Sequence, residues 1–447
     1  MIPGSLLDLF LGFLYAIVLT ILFLFIAIRL KDPPGNWKIL MIGFSAHVIS
    51  AITFVVFMST YYGYLGDALF YFNTTAILFK NLISKPYLAF ELLFSDLENI
   101  NPLEKLRLFG TTDSEVITMA RLTLPFYILG MGMFTPTGVL ISILPFTGKF
   151  FLLKALRKAV PSATMSILNK VSLAVFLLPT ALFWGTSILK ESFIMFAVGT
   201  LFLSLQMLGR GNFLLAIPLI AIAYSVIAGL KAWVLYVFLG SLSISLTIYT
   251  LNIPRIKQDA LLRSATLLIF LIIGGLIGYL GAKEVLKEMI DNLLQVAYGF
   301  QTWHTYLGQK YGQSSYTLLT IPDLLYARWW QFLLAFPEAL FTALYRPFLF
   351  EIDRLSEALV LPENLFLLIL SIKVIGRFKR VWINLRKSPV LLSSFIFGIL
   401  SLYIVGLVSF NFGAMVRYRI PGLIPLIATL LLIYLVVSKS SQQNINS

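Results

Sequence analysis

Eleven stretches of this chain stay apolar over roughly the 20 residues that a helix needs to cross the hydrocarbon of a bilayer, and this constrains the fold more than anything else in the sequence. No water satisfies backbone groups in lipid, so such runs must be helices; their unbroken apolarity lacks the alternation of barrel strands. The runs lie at about 5–29, 39–60, 122–148, 171–187, 193–208, 213–228, 232–250, 265–282, 362–374, 388–410 and 420–438. The expected fold is an all-α integral membrane protein of about 11 transmembrane helices, a single polytopic domain over 1–447. A hydrophobic fraction of 59% against 12% charged residues excludes a soluble globular protein. The first run is followed by basic residues and is too long for a cleaved leader, so it reads as a retained span.

Charge then orients the helices. The six short segments on one face hold 19 of the 34 Lys and Arg but only 2 of the 20 Asp and Glu, while the other face receives 15 bases and 18 acids. By the positive-inside bias the first face is cytoplasmic, with the N-terminus outside and the C-terminus in the cytoplasm. The net charge of +14 sits in short loops beside spans, where it meets anionic lipid rather than nucleic acid. Two large extracytoplasmic loops follow from this arrangement, at about 61–121 and 283–361, each with stretches suited to lie in the interface as helices. The segment Trp329 to Leu344 is apolar enough to be half inserted, but a full crossing would turn the six bases from Lys373 to Lys387 outward. It is therefore expected to be interfacial or re-entrant. Thr135-Pro136-Thr137-Gly138 interrupts the third run and predicts a kinked helix or two half-spans there.

Zero cysteines exclude disulfides, thiolate catalysis and Cys-ligated metals, and two histidines exclude a His-rich metal site. Four polar clusters remain, all on the outer face. Gly66-Asp67 with Phe70 and Tyr71 puts an acid at the membrane surface, suited to general-base work; the alternative is a solvated loop acid. Lys190-Glu191, at the tip of a tight hairpin after Phe183-Trp184-Gly185, can bind a phosphate and orient a donor, or mark a helix end. In the third, Arg346 and Arg354 offer paired donors to phosphate oxygens, and Glu351 with Asp353 can hold a divalent cation, the one cofactor the sequence suggests. In the fourth, Arg417 and Arg419 defy the positive-inside trend and bind an anionic headgroup or snorkel to the interface. His304, in the aromatic-rich second loop, is a candidate proton carrier or a surface histidine, and His47 reads as a hydrogen-bonded core residue.

Taken together, Gly66-Asp67 with Tyr71, the Pro179 to Glu191 hairpin, Arg346-Pro-Phe…Glu351 and Gly413…Arg417-Tyr-Arg419-x-Pro421 resemble the GT-C superfamily. These are glycosyltransferases of bacterial surface-polysaccharide assembly that use polyprenyl-phosphate-linked sugars. The resemblance implies a plasma (inner) membrane enzyme with Asp67 as catalytic base, Glu191 and Glu351 as further catalytic carboxylates, and Lys190, Arg346, Arg417 and Arg419 holding the lipid phosphate. Tyr71 and His304 would line the substrate. Partners would be a polyprenyl-phosphate-linked sugar or oligosaccharide, membrane lipid, and a glycan or lipid acceptor. Two features depart from the family: the first large loop follows span 2 rather than span 1, and there is no soluble outer domain. O-antigen-type polymerases and ligases, with large outer loops and outer arginines, are similar in the same respects. A flippase or transporter is the third reading, set against span centres almost free of charge and the lack of a visible repeat.

Overall fold

The computed structural model describes residues 3–62, 66–253, 298–299, 301–303, 306, 315–321, 323–352 and 358–446. These residues form helices, with a lone antiparallel bridge between Ser315 and Asn411. Seven helices are long and apolar enough to cross a membrane: Leu6–Arg29, Trp37–Tyr61, Phe134–Ala159, Lys190–Leu208, Phe213–Leu251, Pro389–Val408 and Ile420–Ser440. Five of them coincide closely with the runs expected at about 5–29, 39–60, 193–208, 388–410 and 420–438. The run at about 265–282 lies outside the described residues.

The chain divides into two compact units, Met1–Ala155 with Leu168–Leu235, and Leu156–Ile167 with Tyr236–Ser447. In the first unit α1 (Leu6–Arg29) and α2 (Trp37–Phe57) pack on each other and on α7 (Phe134–Ile141). The segment expected as the first outer loop is itself folded. It comprises α3 (Gly66–Ser84), α4 (Ala89–Phe94), α5 (Pro102–Phe109) and α6 (Ser114–Leu129), gathered on a small core of Leu78, Leu92, Leu97, Leu108, Phe109 and Ile117. Arg121 ties the loop together: its Nε and Nη1 donate to the carbonyls of Leu92 and Ser95, both at 2.9 Å.

The expected third span is displaced. Its helix breaks at Gly130 to Gly132, where Met131 (φ 55°) and Gly132 (φ 68°) take left-handed conformations that no helix can continue. The chain re-enters as α7 and then α8 (Ile143–Ala159), so Phe134 rather than residue 122 begins the crossing. Thr135 to Gly138, where the kink was expected, is regular and fully buried helix. The start of α7 has no cap of its own. Asp8 of α1 supplies one from across the fold, its carboxylate accepting from Thr135 N (3.1 Å), Thr135 Oγ1 (2.5 Å) and Gly4 N (2.9 Å).

The expected fourth span resolves into α9 (Met165–Phe176) and α10 (Pro179–Phe183), followed by a buried non-helical stretch from Trp184 to Leu189 and then α11 (Lys190–Leu208). Helices α8 and α11 cross with backbones in contact: a Cβ on Gly148 or Gly199 would overlap the other helix's main chain. The sixth and seventh runs form one 39-residue stretch, α12 (Phe213–Leu251), interrupted at Lys231 (φ −156°, ψ 75°). At about 1.5 Å per residue an unbroken helix of that length would be roughly twice the hydrocarbon thickness, so the break is what fits it to a bilayer.

In the second unit, α13 (Trp329–Leu334) and α14 (Phe336–Tyr345) occupy the half-apolar part of the segment expected as the second outer loop, and neither is long enough to cross. They are followed by α15 (Val360–Ile375), α16 (Phe378–Leu385), α17 (Pro389–Val408), α18 (Phe412–Tyr418) and α19 (Ile420–Asn446). Glycines again set the packing: a Cβ on Gly406 of α17 would overlap the main chain at Ala339 of α14, and one on Gly398 would lie 2.9 Å from the Gly422 carbonyl.

Candidate functional site

In the first unit the site grows from two helix starts. Gly66 opens α3 at φ 54°, a turn only glycine takes without strain, and Asp67 follows on the exposed side of the first turn. One turn on, Tyr71 is buried, and the Lys190 ammonium lies over its ring at 5.8 Å from the centroid. Lys190 is the first residue of α11 and also pairs with Glu115 in the first turn of α6. Its neighbour Glu191 is fully buried and pairs with Lys231 at 2.9 Å, at the break in α12. Ser192 closes the turn by donating its hydroxyl to the carbonyls of Ser187 (2.7 Å) and Gly185 (3.0 Å). Phe193 meets Phe126 edge to face at 6.2 Å, and Thr118 fills the space beside Gly229, so α6, α11 and α12 are mutually fixed around these charges. Two clusters more than 110 residues apart in sequence, Asp67-Tyr71 and Lys190-Glu191, therefore meet.

The same unit buries a second polar pair. His47 donates Nδ1–H to the Gly43 carbonyl (2.7 Å), which leaves Nε2 to accept from the Lys149 ammonium at 3.0 Å. Lys149, counted among the cytoplasmic loop bases, is fully buried within α8 instead. The helix gains a partner there that a loop position would not offer.

In the second unit Arg346 sits among an acid and two rings, its side chain 22% exposed. Its guanidinium pairs with Glu351 through Nε (3.0 Å) and Nη2, and lies over the rings of Phe412 (5.1 Å) and Tyr316 (5.5 Å), which stack on each other. Tyr316 donates its hydroxyl to the Gly406 carbonyl (2.9 Å), and burial pushes its phenol above the ordinary range. Glu338 anchors the chain beside it, accepting from Thr320 N (3.0 Å), Thr320 Oγ1 (2.5 Å) and Leu319 N (2.5 Å). Burial alone would raise the Glu338 carboxyl; these donors and the positive Arg346 outweigh it and hold the group below the usual carboxylate range.

Arg419 does not face outward. It is fully buried, with Nη2 donating to Glu363 (2.6 Å) and Asn364 Oδ1 (3.0 Å) and Nη1 to the Ala343 carbonyl (2.8 Å). Asn364 in turn donates to the carbonyls of Tyr345 (2.8 Å) and Pro347 (3.2 Å), on either side of Arg346. Arg417 stays half-buried with its guanidinium over the Tyr418 ring at 5.3 Å, one turn into the helix that Asn411 caps. Glu351 spends its carboxylate on Arg346, and Asp353, Arg354 and His304 lie outside the described residues. No group of three or more His, Asp or Glu capable of holding a metal ion occurs among the described residues.

Asp8, Glu115, Lys231 and Glu363 were not singled out as site residues from sequence. The signal was present in three of them, since each is an ionisable residue inside or at the edge of an apolar run, where an uncompensated charge is costly. Glu115 carries no such mark, being one acid of seven in the first outer loop. No family model matches the chain, and neither a curated protein nor a solved structure resembles it significantly.

Proposed function

We propose that this protein is a membrane glycosyltransferase that moves a sugar from a polyprenyl-phosphate-linked donor to a glycan or lipid acceptor on the outer face of the plasma membrane. The reading carries with it the eleven-span topology, with the N-terminus outside and the C-terminus in the cytoplasm. Asp67 takes the proton of the acceptor hydroxyl as that oxygen attacks the anomeric carbon. The bond from that carbon to the phosphate oxygen breaks, and Lys190 stabilises the charge left on the lipid phosphate.

The observation that carries this is the meeting of Tyr71 with Lys190, one helical turn along α3 from the exposed Asp67 carboxylate. Glu191 is assigned to holding Lys231 rather than to proton transfer, and Arg419 to packing, because each spends its charge on a buried partner. Arg346 and Arg417 remain the cationic groups of the second unit that suit a phosphate, their aromatic neighbours a sugar face. A positioned general base is worth about 10² to 10⁴ in rate. Asp67→Asn in the purified protein, assayed for transfer from a polyprenyl-phosphate sugar, is expected to lose at least about 100-fold in turnover with its melting temperature unchanged. Full turnover in that variant overturns the mechanism.

Interrupted helices favour a second reading, movement of a lipid-linked glycan across the membrane. The first unit breaks its helices at Gly130 to Gly132, at Trp184 to Leu189 and at Lys231, and buries charged groups beside two of these breaks. Translocation in vesicles with no new glycosidic bond selects that reading over the transferase.

A further inference from the structure

Two ion pairs stand side by side at the start of α11, on consecutive residues, and they differ in one respect. In the pair Glu191–Lys231 both side chains are buried or nearly so. In the pair Lys190–Glu115 the cation is 11% exposed and the anion 56% exposed. A partly hydrated ammonium attracts whichever anion can reach it. An exposed carboxylate leaves its partner at little cost, since such pairs contribute about 0–1 kcal/mol. Glu115 also sits in the first turn of α6, where Asp113 caps the helix through Glu115 N (2.8 Å). Lys190 in turn begins a helix whose start has no side-chain cap, which adds backbone N–H groups to whatever anion reaches it.

We infer that Glu115 is a placeholder: it neutralises Lys190 in the empty site and is displaced when a phosphate group takes its position on the Lys190 ammonium. The inference rests on the proposed role of Lys190 but concerns binding alone. Because ligand and Glu115 compete for one ammonium, the resting pair lowers the apparent affinity by the fraction of molecules in which it is closed. Removing the carboxylate therefore strengthens binding. That is the reverse of what loss of an ordinary contact does. It also separates this pair from Glu191–Lys231, whose disruption leaves a charge stranded in the interior.

The test measures binding of two probes, inorganic phosphate and dodecyl phosphate, to the purified full-length protein in uncharged detergent. Glu115→Gln is expected to lower Kd for dodecyl phosphate about two- to fivefold, the range a pair of up to about 1 kcal/mol spans. Glu115→Asp, which keeps the charge but shortens the reach, should tighten binding in the same direction. Lys190→Met should abolish binding, and Glu115→Gln added to it should restore nothing. Tightening with both probes identifies the phosphate itself as the ligand; tightening with dodecyl phosphate alone identifies a lipid headgroup. Unchanged or weaker binding in both Glu115 variants overturns the inference, as does unimpaired binding in Lys190→Met. Full turnover in Asp67→Asn would instead remove the transferase chemistry and leave this binding result standing.

Discussion

The two units use the same residue types to opposite ends. At the start of α11 the Lys190–Glu115 pair reaches the surface through Glu115, and its cation lies over the Tyr71 ring. In the second unit Arg419–Glu363 is fully buried, and the guanidinium also donates to Asn364 and the Ala343 carbonyl. An exposed pair is weak and exchangeable; a buried one is costly to disrupt on either side. A charge in an apolar chain stays open to a ligand only where its partner can be replaced. Residue type, by itself, does not distinguish the two cases.

The largest effect that would break this comparison comes from Glu363→Gln. It strands the Arg419 guanidinium and is expected to cost about 3–5 kcal/mol, read as a large drop in thermal unfolding temperature in detergent. Replacing both residues by Met should recover most of the loss. The same glutamine change at Glu115 should move stability by less than about 1 kcal/mol. Equal losses at the two positions would end the distinction between them.

Asp8→Ala comes next. It tests whether the contrast belongs to burial rather than to the units, because Asp8 is a buried, wholly structural carboxylate within the first unit. Loss of the borrowed cap on α7 and of the Gly4 contact is expected to cost about 2 kcal/mol, measured by denaturation of the purified protein.

The smallest effect is a pH dependence in the second outer loop. The folded Glu338 carboxyl is held below its ordinary value, so its contribution is present at neutral pH and is lost as pH falls from about the ordinary carboxylate range through the folded value. Hydrogen exchange at Leu319 and Thr320 should rise relative to the intrinsic rate as the carboxyl is protonated, and Glu338→Gln should flatten that dependence. A protection profile that stays parallel in the variant would remove Glu338 as the anchor.

Much of the fold was legible because transfer of apolar side chains from water is read directly from composition in a window of helical length. Five of the apolar runs reappear as spanning helices with little change at their ends. The break at Gly130 to Gly132 was missed in favour of Thr135 to Gly138. A proline in the first turn of a helix lacks only an N–H that would be orphaned there anyway, and Pro136 sits in the first turn of α7. The pair at Phe213–Leu251 was seen as two runs because Gly229 and Lys231 interrupt the apolarity, and the backbone does leave helical geometry at Lys231.

Of the candidate residues, Asp67, Tyr71, Lys190, Glu191, Arg346, Glu351, Arg417 and Arg419 were recognisable by type and by their place outside the apolar runs. Their partners were not. The sequence by itself determined that this protein forms helices, several of them long and apolar enough to cross a membrane, because backbone hydrogen bonding and hydrophobic transfer are local along the chain. Only the tertiary structure decided which charges meet: Lys190 with Glu115 and Tyr71, Glu191 with Lys231, Arg419 with Glu363, Asp8 with the start of α7. Those encounters join residues 40 to more than 120 positions apart, and they depend on how helices cross and where they break, which no window along the chain contains.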